Sequence, residues 1–140
     1  MASIFTRIMD GEVPGRFVWK DEACAAFLTI APLRPGHTLV VPRKEVDHWL
    51  DLDEGTMNHL VRVARAVGQA LMKAYAPSKV GMMIAGLEVR HVHLHVVPID
   101  HVEDLDFARQ DPNATAPALD EAAGRIREAL RALGFREATA

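Results

Sequence analysis

Residues His91-Val92-His93-Leu94-His95 set three imidazoles at alternate positions among aliphatics, followed by Val96-Val97-Pro98. Imidazole changes charge near neutral pH, and its neutral form is a good nucleophile toward phosphorus. Three such groups on one element can attack a centre, steady an oxygen and handle a proton. In an extended strand successive side chains point to opposite faces. His91, His93 and His95 are therefore expected to share one face, with Val92, Leu94 and Val96 buried on the other. The histidine face is expected to meet a cleft or solvent.

Two chemistries fit such a row. Histidine clusters bind zinc, with nitrogen ligands at about 2.0–2.1 Å. Alternate residues on a strand stand about 6.6 Å apart and the outer pair about 13 Å apart. Two neighbours can share one ion, but three cannot easily do so. A metal would then need ligands from Cys24, His37, His48, His59, His101 or a carboxylate. The other chemistry is covalent or acid–base catalysis, in which one imidazole attacks and its neighbour handles a proton. The row alone leaves both open.

The elements that must position these residues point to an α+β domain on an antiparallel sheet. Ser3 is a plausible N-cap for a short helical turn over 3–9, with Ile4, Phe5 and Ile8 on one side. Strands are expected at 17–19, 24–28 and 38–41, the first two joined by a tight turn at Lys20-Asp21-Glu22 and the third stopped by Pro42. From Asp53 to Tyr75 the period becomes helical. Met57, Leu60, Val61, Ala64, Val67 and Leu71 form the apolar stripe, and Asp51 and Asp53 are candidate caps. A strand over 80–85 precedes the histidine strand. Residues 100–116 read as a polar loop, and Pro117 can open a last helix carrying Leu119, Ala123, Ile126, Leu130 and Leu133, closed by Gly134. About five strands, one long helix and a C-terminal helix result, in a single domain over 1–140.

The chain has 140 residues, 49% apolar and 25% charged, a soluble-globular composition. A net charge of −3 argues against a nucleic-acid surface. Cys24 is the only cysteine, so no disulfide framework or four-cysteine metal site is available. No apolar run is long enough to span a bilayer, and the first residues lack the apolar core of a signal peptide. A cytoplasmic protein is the expectation.

At the triad the chain becomes recognisable. His-x-His-x-His-x-x with an aliphatic at every x resembles the signature of the histidine triad (HIT) family of nucleotide hydrolases and transferases. Ile4-Phe5 through Gly11-Glu12-Val13-Pro14 is similar to that family's opening. Ala26 to Pro32, followed by Pro35-Gly36-His37-Thr38-Leu39-Val40-Val41-Pro42, is similar to its central stretch. The likeness covers about residues 3–98.

The resemblance implies a HIT-like fold and a reaction. The middle histidine, His93, would attack the α-phosphorus of a nucleotide and form a nucleotidyl-imidazole that water then cleaves. His95 would contact the phosphate or the leaving group and help its departure. His91 and His37 would complete the hydrogen-bonded set that orients His93. Ile4, Phe5, Ile8, Phe27, Ile30 and Leu39 match the family's base-binding wall, although each is also a plausible core residue. The chemistry needs no metal or cofactor. A purine nucleotide substrate, phosphoramidase activity and a homodimer are expected, with no nucleic-acid or membrane partner.

Several positions depart from the family pattern. Ser3 and Thr6 stand where many bacterial members have two cysteines that help hold a structural zinc, with His48 at another ligand position, so no structural zinc is expected. Thr29 replaces an acidic residue that contacts the ribose. Leu87 and Glu88 replace a glutamine and a serine or threonine before the triad. A carboxylate at Glu88 would repel an anionic substrate unless protonated or turned away, so it is a proton donor, a sign of altered substrate choice, or an exposed turn residue. Two alternatives stand beside the hydrolase: a nucleotide-binding module with little turnover, and a histidine-ligated metalloprotein.

Overall fold

A computed structural model describes residues 1–138 of the chain. The first helix, α1 (Ile4–Met9), is capped by Ser3, whose side chain accepts from the Thr6 amide. Strands β1 (Phe17–Lys20) and β2 (Cys24–Leu28) form an antiparallel hairpin. Asp21 builds its turn by accepting the Ala23 and Cys24 amides at 2.8 Å each, the local side-chain bonding that favours Asp in turns. A bulge lies between Phe17 and Trp19. It lets Val18 and Trp19 both join the helix-side core while Phe17 packs on the opposite face.

Strand β3 (Thr38–Pro42) pairs with β2, then come α2 (Glu54–Tyr75), β4 (Lys79–Met83), β5 (Leu94–Ile99) and α3 (Ala116–Ala132). All neighbours are antiparallel, in the order β1-β2-β3-β5-β4. This is the α+β architecture expected from the sequence. The sheet has two apolar faces. Cys24, Ala26, Leu28, Val40, Leu94 and Val96 pack under α2 and α3, whereas Ala25, Phe27, Leu39 and Val41 pack under α1.

Asp53 caps α2 by accepting from the Thr56 amide. Leu60, Val63, Val67 and Leu71 are fully buried, each contributing about 1.5–3 kcal/mol, so packing outweighs the roughly 1 kcal/mol of the cap. Val61, expected in this stripe, is exposed and Val63 takes its place. From Leu60, the i+3, i+4 and i+7 positions are Val63, Ala64 and Val67; Val61 is a single step of about 100° around the helix. The last helix starts one residue ahead of Pro117, on the Thr115 cap. Gly134, at φ +93°, follows its end in the left-handed conformation. Leu133, at the C-cap, is exposed rather than part of the stripe.

The expected histidine strand is shorter than its alternation implies. β5 begins at Leu94, and His91 to His93 lie in irregular chain before it. The cause is on β3, where Pro42 has no amide to continue the ladder. The Pro42 carbonyl accepts from the His91 ring and the Val92 amide bonds the Val46 carbonyl. The two-sided alternation survives, because Val92 joins Leu94 and Val96 in the helix-side core. Strand β4 likewise ends at Met83, before Ile84 and Ala85.

Candidate active site

The face of the sheet under α1 holds a cavity of about 550 Å³, within the usual size range of small-molecule sites. His93 and His95 line it, along with the six residues of the expected base-binding wall and with Thr29 and Glu88. Ile4, Phe5 and Ile8 come from α1, Phe27 from β2 and Leu39 from β3. Thr29 and Ile30 follow β2, and Glu88 lies in the connection before the triad. Ile30 and Glu88 stand at the exposed rim, whereas Phe5, Phe27 and Leu39 are buried. Phe5 packs edge-on against the His93 ring, centroids 4.8 Å apart.

His91 and His37 lie behind this wall. All three triad histidines are buried, His91 completely, so the row does not face solvent. His37 is placed by the Pro35-Gly36 turn. Gly36 has φ +97°, and a Cβ there would come within 2.8 Å of the Tyr75 ring, so only glycine fits without strain.

Hydrogen bonds fix the proton positions. A carbonyl oxygen can only accept, so each partner of a carbonyl identifies a ring N–H. His93 Nδ1 lies 2.7 Å from the His91 carbonyl, so Nδ1 carries the proton and Nε2 keeps a free electron pair. His37 Nδ1 accepts the Leu33 amide at 3.0 Å, so its proton sits on Nε2, 2.9 Å from His95 Nδ1. His95 Nδ1 is then an acceptor, and its Nε2 is a donor. His91 Nε2 donates to the Pro42 carbonyl at 2.8 Å, leaving Nδ1 to accept from the Ser3 hydroxyl at 2.6 Å. The cavity thus meets a bare nitrogen on His93 beside an N–H on His95, rings 4.8 Å apart.

Burial keeps the His37, His93 and His95 rings neutral. It pushes His37 down to about 3 and His95 down to about 4, each helped by neighbouring imidazoles. His93 is also lowered by burial, against a hydrogen bond to the His91 carbonyl that favours its charged form.

The placement gives each support a specific partner. His93 is held by the backbone carbonyl of His91, and the ring of His37 holds His95. The break before β5 turns the His91 ring toward Ser3 and Pro42.

Phe107 and Gln110, from the polar 100–116 segment, also line the cavity, and the Phe107 ring lies 5.0 Å from that of His95. The segment is anchored by Arg34, which bonds Asp104 at 2.7 Å and Asp100 at 3.1 Å. Phe107 is the single aromatic in this polar stretch, a signal that could have marked it as a wall residue. Val13, Pro14 and Gly86 also line it from connecting loops.

Away from the cavity, Asp21, Cys24 and His59 bring metal-ligand atom types together, the one such group among the described residues. Asp21 is already saturated: one oxygen accepts the Ala23 and Cys24 amides, the other Trp19 Nε1 at 2.8 Å and His59 Nε2 at 2.7 Å. Burial, reinforced by the Asp21 carboxylate, pushes the Cys24 thiol well above its ordinary range, disfavouring the thiolate that a metal needs. The cluster ties the β1–β2 turn to α2.

Residues 10–102 match the HIT domain family. An uncharacterised HIT-like protein of Methanocaldococcus jannaschii is 34% identical over 99 residues, 68% of this chain and 77% of that protein. A zinc-bound histidine triad family protein from Mycobacterium smegmatis superposes with TM-score 0.81 at 28% identity, covering 95% of this chain and 96% of the other. A hypothetical histidine triad nucleotide-binding protein from Sulfolobus tokodaii gives TM-score 0.81 at 28% identity, covering 92% of each chain.

The residues at the family's zinc positions do not fit that metal in this chain. Ser3 is hydrogen-bonded to His91, Thr6 donates to Glu45 at 2.8 Å, and His48 Nδ1 accepts the Leu50 amide. Structural zinc sites are built from thiolate, imidazole and carboxylate, and neutral hydroxyls replace the thiolates. The triad, its central Pro-Gly-His segment, the sheet and these matches agree: the chain belongs to the histidine triad family.

Proposed function

We propose that this protein is a nucleotide hydrolase that cleaves a purine nucleoside 5′-phosphate from its leaving group through a covalent intermediate on His93. The observation that carries the reading is the proton arrangement at the cavity, a bare Nε2 on His93 beside an Nε2–H on His95. In the first step the His93 Nε2 pair bonds to phosphorus, and the leaving group departs with the pair of its broken bond. The ring becomes positively charged, and its Nδ1–H bond to the His91 carbonyl strengthens as it does so.

His95 donates from Nε2 to the leaving atom as charge builds there. The ring is neutral, so complete transfer of that proton would leave an imidazolate. Polarisation is therefore its role, and the departing atom takes its proton from the open side of the cavity. Water then attacks phosphorus and gives up a proton to solvent at the open side of the cavity, the P–N bond breaks and its pair returns to His93. The base is assigned to the apolar wall of Phe5, Phe27, Leu39, Ile4, Ile8 and Ile30, and the ribose to the vicinity of Thr29.

Release of AMP from an adenosine phosphoramidate, with a nucleotidyl adduct trapped on His93, is the test. AMP binding without release would favour a binding module instead. We also assign a homodimer, formed along β4, which has a neighbour on one side only and exposes Met82. A bare apolar edge strand is a template for pairing with a second chain.

A further inference from the structure

The cavity has an unusual charge inventory for a site that would receive phosphate. Its ionisable side chains are His93, His95 and Glu88; among the described residues no lysine or arginine lines it. Arg90 lines a smaller neighbouring cavity of about 300 Å³ that shares Gly86, Leu87 and His93 with this one, and there the Asp47 carboxylate stands on the same wall as its guanidinium. His93 and His95 are neutral by their buried hydrogen-bonded positions, so the one full charge on this wall is negative. Glu88 is exposed at the rim, and among the described residues it takes part in no ion pair. It stands three residues before His91, on the loop that carries Gly86 and Leu87 into the cavity.

A polyphosphate leaving group would add several negative charges beside this carboxylate, with no cation on the wall to offset them. A leaving group bearing a protonated amine would instead supply the missing partner. Resting on the hydrolase reading above, we infer that Glu88 is a specificity-determining residue: it selects nucleoside phosphoramidates whose leaving amine carries a second, cationic group, and disfavours dinucleoside polyphosphates. The nucleotide contributes a single phosphate. The cationic end of the leaving group pairs with Glu88 at the rim, and the scissile P–N bond lies inside at His93 and His95.

The test uses three adenosine 5′-phosphoramidates of equal chain length, ending in an ammonium, a methyl or a carboxylate group, together with diadenosine tetraphosphate. For the wild-type protein, kcat/KM is expected to fall in the order ammonium, methyl, carboxylate, by up to about fivefold per step as for an exposed ion pair. Added salt should compress the series. Glu88→Gln should narrow the ratios and Glu88→Lys should invert them. The same order should appear as binding affinities in His93→Ala, which does not depend on turnover. Equal values across the series, ratios unmoved in Glu88→Gln, or preferred cleavage of diadenosine tetraphosphate would overturn the inference while leaving the hydrolase reading intact. A charge order in binding with no AMP released from any compound would support the selection and sink the hydrolase reading.

Discussion

His37 donates from Nε2 to His95 Nδ1 across 2.9 Å, and this bond decides which nitrogen of His95 can donate to a substrate. His37 does not line the cavity, yet it sets the tautomer of a residue that does. It is a positioning residue. His37→Ala leaves His95 Nδ1 without a donor, so the ring can move its proton to Nδ1 and lose the N–H aimed at the leaving group. kcat/KM should fall by roughly tenfold to a hundredfold, at or below the range for removing the acid–base group itself. AMP affinity should change little, and the rate should depend more steeply on leaving-group basicity. A loss that is equal for good and poor leaving groups would contradict this role.

Acid stability follows from the same buried rings. His37 and His95 are held to about 3 and about 4 in the fold, against 6.5 for free imidazole. Between those values the unfolded chain takes up protons that the folded protein refuses. The stability from these two sites is therefore fully present above about pH 6.5. It drains as the pH falls toward 4 and then 3. Comparing urea unfolding at pH 7 and 4.5 should give a loss on the order of 2 kcal/mol per imidazole. A midpoint that holds or rises on acidification would show that the rings are not buried neutral.

Much of this was legible because a few residues carry strong local rules. Asp53 and the 3.6 period announced α2, Gly134 marked the end of α3, and the triad with its central Pro-Gly-His segment identified the site strand. The sequence misled where a single residue breaks a regular pattern. Pro42 cannot donate, so the histidine strand starts late and the His91 ring turns to Ser3 rather than to His93. The bonding order among four histidines depends on which rings meet after folding, and neither spacing nor periodicity encodes that. Phe107 stayed out of the reading because it reaches the cavity through a long-range tether, Arg34 to Asp104.

Dimerisation is expected along β4. The apolar stripe of α2 is used up on its own sheet through Leu60, Val63, Val67 and Leu71, so the free edge is the better candidate. Light scattering at micromolar concentration should give about twice the 15.4 kDa chain mass. Met82→Asp, placing a charge on that exposed strand, should shift the mass toward the monomer with little change in far-UV circular dichroism. A wild-type mass near one chain would remove the assignment.

His93 offers the most direct separation of binding from chemistry. Its Nε2 forms a bond to phosphorus only during reaction, whereas the base meets Phe5, Phe27 and Leu39 in the ground state. His93→Ala should abolish turnover while keeping AMP affinity within about tenfold, or about 1.4 kcal/mol. The substitution opens space beside Phe5, whose ring packs edge-on against His93, so some weakening of binding is expected. His95→Ala should retain more activity and lose most on the poorest leaving groups, since its N–H assists departure rather than attack. Quenching the wild-type reaction with a labelled nucleotide should yield an acid-labile adduct on the peptide that contains His93. Label on another residue, or near-full activity in His93→Ala, would overturn the division of labour between His93 and His95.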